Sequence, residues 1–312
     1  MKTKLPYAAI IAFIAIGVIE AWFLQATEPL TGLPIFQPTA DDAVVVAKRT
    51  LVGDVTGKVV IVGDSSAMHG LRPSVMENYS HFQYLNLGTL ASLTMYGYCD
   101  MAIEILRRGE GRPAAIVLSV LPQTIEIAEP KARSMGHLGR YLVAYGMGDG
   151  LIYPVSMSEM RNWFVKKHRF NIFPPELGRS YIEFRDKLAA EKGFWVEQKA
   201  HVNPSDISRN FVPSVLSIRS IDRLIKESKS HAVPLVFMVN PRPDTLVAGS
   251  YLDDVSNFLK QLRTSRPELS VLQDMYFVSG ETDFGTETHL NETGANRHSR
   301  AIAPKIDAAL MN

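Results

Sequence analysis

Short apolar runs rich in β-branched residues recur along the chain at 58–63, 83–87, 114–120, 234–239 and 269–272, most of them bounded by Gly or Pro. Runs of this length predict buried strands. Between them lie stretches with helical periodicity at 41–51, 90–108, 214–229, 251–263 and 292–310. Asp41 and Asp42 sit in the first turn of one helix, and Arg107-Arg108-Gly109 closes another with basic residues and a C-cap glycine. Strands alternating with helices predict a parallel sheet covered on both faces. The rhythm breaks from about 123 to 213, where Gly, Pro and two helical pieces near 156–168 and 179–192 predict a cap inserted over the sheet.

The first residues follow a different pattern. Lys2 and Lys4 precede an apolar run from Leu5 to Leu24 whose one charge, Glu20, lies near its far end beside Trp22. About 20 apolar residues span a bilayer, whereas the apolar part of a cleavable signal runs to roughly 7–15. Residues 1–24 therefore read as an uncleaved transmembrane anchor, with the lysines on the cytoplasmic side and the main domain periplasmic or extracellular. Pro29, Gly32, Pro34 and Pro38 then read as an extended tether, so that 25–57 links the anchor to an α/β domain over 58–312.

Composition narrows the partners. Of 312 residues, 46% are hydrophobic and 21% charged, which suits a packed core and not long disorder. The net charge of +1 points to no nucleic-acid partner. Cys99 is the single cysteine, so no internal disulfide forms. No P-loop or Gly-x-Gly-x-x-Gly follows a strand, and the His, Asp and Glu residues show no compact ligand spacing, so the expectation is no metal and no cofactor.

Two segments carry chemistry. The first strand ends in Gly63-Asp64-Ser65, delivering a hydroxyl to the carboxyl edge of the sheet, where open α/β folds bind ligands. A serine needs a base within hydrogen-bond reach, and His289 in Thr288-His289-Leu290-Asn291 is the candidate. The plainer reading of Gly-Asp-Ser is a turn with an N-capping residue, with Asp64 tying down the turn, Ser66 beside the cap and Asn291 capping the last helix.

Gly63-Asp64-Ser65 after a strand, with His289-Leu290-Asn291 and Gly294-Ala295 before a closing helix, resembles the SGNH/GDSL hydrolase superfamily. The stretch from Gly63 to Pro73 is similar to its membrane-anchored branches, some of which work beside polysaccharide or teichoic-acid acyl-transfer machinery. The resemblance implies a flavodoxin-like (SGNH-type) fold with Ser65 as nucleophile and His289 as general base. It also implies the N–H groups of Ser65 and Gly88 as oxyanion donors, with glycine at 88 letting substrate approach the backbone. The family's asparagine after the third strand has no counterpart in Ser119-Val120-Leu121-Pro122, and its aspartate three residues before the histidine is Thr286. Asp283 and Glu287 are the nearest acids able to orient His289. Asn86, His69 and Arg242 are candidate substrate contacts; His69 also stands as a rival base, and the plainer reading of Arg242 is an exposed loop arginine. Trp163, Trp195 and Tyr181 in the cap read either as sugar-stacking rings or as core.

The expected function is a membrane-tethered serine esterase or O-acyltransferase acting on an envelope polysaccharide or other acyl ester, with a membrane acyltransferase as possible donor partner. The alternative is a catalytically silent SGNH-like module that binds glycan or scaffolds an envelope complex.

Overall fold

The computed structural model describes residues 44, 47–48, 51–89, 93–108, 111–127, 175–196, 210–243, 249–272 and 278–311. The expected anchor and most of the tether, Trp163, and the helical piece at 156–168 lie outside the described residues. Among the described residues, no helix is long and apolar enough to cross a membrane.

Five strands form the main sheet: β1 (Lys58–Gly63), β2 (Gln83–Asn86), β3 (Ala115–Val120), β4 (Leu235–Val239) and β6 (Leu269–Val271). Every pairing is parallel and the order is β2-β1-β3-β4-β6. Counted along the chain this is 2-1-3-4-5, consistent with a flavodoxin-like doubly wound sheet whose order reverses between β1 and β3. β3 and β4 are buried at every position, as strands covered on both faces must be.

The period of two sorts the side chains. Val60, Val62, Ile116, Leu118, Phe237 and Val239 face one core with α3 (Thr94–Arg108), α6 (Val215–Ser230) and α7 (Gly249–Ser265). Val59, Ile61, Val117, Val236 and Met238 face the other. That side is closed by α1 (Ser65–Gly70), α2 (Pro73–Met76) and α8 (Glu292–Met311). Full burial of one such Val, Leu, Ile or Phe stabilises by roughly 1.5–3 kcal/mol, so each layer carries substantial weight.

Several elements depart from the expected pattern. Two short helices, α1 and α2, fill the β1–β2 connection, and α4 (Pro122–Glu126) opens directly on the proline that follows β3. A two-residue ladder pairs β5 (Arg242–Pro243) with β7 (Val278–Ser279). Elements this short carry no detectable period. Within the expected cap, α5 (Pro175–Ala190) leads into a segment that runs along the free edge of β2. Asn86 N–H donates to Lys192 O at 2.9 Å, and Trp195 N–H donates to Met68 O at 3.2 Å. Gly193 (φ +93°) makes this approach possible, since a Cβ there would lie 1.8 Å from Asn86 O.

Candidate active site

Ser65 begins α1 immediately after β1, at the carboxyl edge and next to the point where strand order reverses. Asp64 is the N-cap; one carboxylate oxygen accepts from Ser66 N–H at 3.0 Å and from the Ser66 hydroxyl. The other accepts from Leu121 N–H at 2.8 Å and the Thr124 hydroxyl at 2.6 Å. Asp64 is fully buried, and its carboxylate clasps the end of β1 to the loop after β3. Asn240, following β4, extends the clasp by donating to Ser66 Oγ at 2.7 Å and accepting from the Ser119 hydroxyl at 2.9 Å. Asp64 therefore ties down the turn as expected and also braces β1 against the segment after β3.

His289 arrives from the other end of the chain on a tight loop. Phe284 and Leu290 form an antiparallel bridge, and Gly285 N–H donates to His289 O at 2.9 Å. Thr286, standing where the resembled family has aspartate, accepts the His289 N–H on its hydroxyl at 3.1 Å. The side chain at that position thus organises the loop backbone. Asn291 caps α8 as expected, its carbonyl oxygen accepting from Gly294 N–H at 3.0 Å. Its amide also donates to Thr282 O and Phe284 O.

These two constructions bring His289 Nε2 to 2.8 Å from Ser65 Oγ, across 224 residues of sequence. With the imidazole proton on Nδ1, Nε2 accepts the serine hydroxyl proton, the geometry a general base requires. His69 joins them, its ring centroid 4.3 Å from that of His289 at an interplanar angle of 33°. His69 is buried, and its Nδ1 lies 2.8 Å from Trp195 O, so Nδ1 carries the proton and donates. Burial, and next the His289 ring, pull its pKa from 6.5 down to about 3.

Asp283 is buried, and Arg297 from α8 donates to its carboxylate at 2.7 Å. Glu287 is half-buried in the loop two residues before His289.

Two of the expected contacts, Asn86 and Gly88, are hydrogen-bonded within the fold, and Arg242 is buried. Asn86 is fully buried and its amide is spent on the backbone, donating to Ala67 O at 2.8 Å and Leu71 O at 2.6 Å. These bonds brace α1 against β2. Its carbonyl oxygen accepts the Gly88 N–H at 2.8 Å, so that donor is already engaged within the fold. Glycine is needed at 88 for packing: a Cβ there would lie 2.6 Å from Met68 N. Arg242 is buried on β5, not exposed on a loop, because β5 and β7 pair across it.

Other buried polar groups carried no motif. Lys48 is fully buried, its ammonium donating to Asn86 O at 2.9 Å and to Gly193 O, and burial pushes its pKa well down. It follows Val44 by one helical turn, and that apolar face was its only signal. Gln123 lies in α4, just after β3, and Thr89 in the loop after β2. Both amide atoms of Gln123 and the hydroxyl of Thr89 are buried without a hydrogen-bond partner. Of the cap aromatics, Trp195 packs on Phe184 at 4.7 Å, against the main core. The side chain of Tyr181 lies outside the described residues. Among those residues no three His, Cys, Asp or Glu side chains gather as a metal site. Comparison with family models and with curated proteins gave no match.

Proposed function

We propose that this chain is an SGNH-like serine esterase or O-acyltransferase, held at a membrane by residues 1–24 and capped by the region 123–213. Its substrate is an extracytoplasmic envelope glycan or lipid-linked acyl ester. The single observation that carries the reading is the 2.8 Å contact between Ser65 Oγ and His289 Nε2. It is supported by the site's location at the carboxyl edge of a parallel sheet, where this architecture binds ligands.

Ser65 Oγ attacks the ester carbonyl while its proton passes to His289 Nε2. The tetrahedral intermediate collapses, and His289 returns the proton to the departing alkoxide. The acyl group remains on Ser65 as an ester. A water or a sugar hydroxyl then attacks it, with His289 taking that proton and giving it back to Ser65 Oγ. Ser65 opens α1, so its N–H is a first-turn donor without an intrahelical acceptor, suited to the oxyanion. The Gln123 amide, buried without a partner in α4 between Leu121 and Thr124, which clasp Asp64, is the second donor in this reading. The reaction as written draws on no metal or cofactor. As a transferase, the protein takes its acyl group from a membrane acyltransferase partner.

The test is covalent labelling of the purified soluble portion with a fluorophosphonate, together with turnover of an activated acetyl ester. Labelling and turnover in wild type, both abolished in Ser65→Ala and strongly reduced in His289→Ala, are expected. Equal turnover by wild type and Ser65→Ala overturns the reading and favours a glycan-binding scaffold.

A further inference from the structure

Ser65 and His69 stand four residues apart on α1, hence on one face of one helical turn. His289 lies across that face, with Nε2 on Ser65 Oγ and its ring against the ring of His69. His69 cannot swing away. Its Nδ1–H donates to Trp195 O, and the Trp195 N–H donates to Met68 O, so the backbone of one residue grips the last turn of α1 through both its carbonyl and its amide. The preceding residue, Phe194, packs with Phe284, Leu290 and Ala295, which bracket the loop carrying His289. The segment along the β2 edge therefore touches both imidazole-bearing elements.

We propose that His69 is a positioning residue: its ring is the platform that holds the His289 imidazole in line with Ser65 Oγ. This inference rests on the serine-esterase reading. A ring free to rotate about χ2 would spend much of its time with Nε2 off the hydroxyl, and small misalignments at a reacting centre are costly in rate. A face at 4.3 Å restricts that rotation. Because burial keeps His69 neutral, the platform does not repel the positive charge that His289 acquires during reaction.

The experiment compares His69→Phe with His69→Leu in the fluorophosphonate labelling rate, each checked for folding by circular dichroism. Both variants lose the bond to Trp195 O, so the comparison isolates the ring face. His69→Phe is expected to label about tenfold faster than His69→Leu and within a fewfold of wild type. On the acetyl ester the Leu variant loses kcat with KM little changed. Equal rates for the two variants overturn the proposal, as does a rise in KM alone, which would mark His69 as a substrate contact. If neither variant folds, proton NOEs between the two rings in the wild-type protein decide, and their absence overturns it. A wild-type protein that does not label at all refutes the esterase reading itself, a distinct outcome.

Discussion

Replacing Asp64 by Asn tests whether the catalytic turn is held by one buried carboxylate. Asp64 accepts four hydrogen bonds, two from Ser66, one from Leu121 N–H and one from the Thr124 hydroxyl. Asn keeps the shape but turns one acceptor into a donor. The Thr124 hydroxyl can rotate and accept, whereas the Leu121 and Ser66 N–H groups can only donate. One of those N–H groups therefore loses its acceptor inside a fully buried site. A hydrogen bond to a charged group contributes about 1.5–3 kcal/mol, so Asp64→Asn should cost about 3 kcal/mol, and Asp64→Ala more. Ser65 follows directly, and a shift of a few tenths of an ångström in α1 misaims its hydroxyl. Labelling should fall by about one to two orders of magnitude even where the variant stays folded. Urea unfolding followed by tryptophan fluorescence gives the first quantity and fluorophosphonate kinetics the second. An Asn variant within about 0.5 kcal/mol of wild type that labels at the wild-type rate would refute the clasp argument.

Acid should weaken the fold through two buried histidines. His69 is held at about 3 and His298, by burial alone, at about 4, against an ordinary 6.5. Below 6.5 the unfolded chain binds protons that the folded one does not, so stability falls as pH drops from 6.5 toward those values. Between pH 7 and pH 5 each histidine should cost about 2 kcal/mol, and His69→Phe should remove its share; urea midpoints that do not move across this range would contradict this. Gly193→Ala places a Cβ 1.8 Å from Asn86 O at a positive φ, so we expect a loss of about 2–4 kcal/mol and faster amide exchange at 192–195. Unchanged exchange there would show that the edge contact is dispensable. Arg72 joins Glu191 through two hydrogen bonds (3.0 and 2.8 Å), meets Glu292 at 2.9 Å and covers the Phe194 ring. These partners are partly solvated, so Arg72→Ala should cost about 1–2 kcal/mol, less at high salt, and Lys should recover under half; full recovery by Lys would deny the fork geometry its role.

Residues such as Val59–Val62 and Leu235–Val239 had one plausible home, because an unbroken β-branched run is stable only between two covered faces. The strands, the longer helices between them and the parallel sheet were legible from that pattern, with boundaries off by one to four residues, whereas the short α1 and α2 were not. Ser65 and His289 were legible as well, because a strand-end serine and a histidine before a closing helix are local patterns. The paired strands at Arg242–Pro243 and Val278–Ser279 were not, since two residues carry no period. Nor was the fate of Asn86 and Gly88: whether an amide meets a ligand or braces a helix depends on which backbone passes within 3 Å. The same holds for Lys48, whose fully buried nitrogen donates to carbonyl oxygens 38 and 145 residues away. Local pattern, then, determined the layers and named the chemical groups. Only the folded chain decided which of them touch, because a contact such as His69 on His289 is made by the sheet and the β2-edge segment together, and no stretch of sequence encodes that distance by itself.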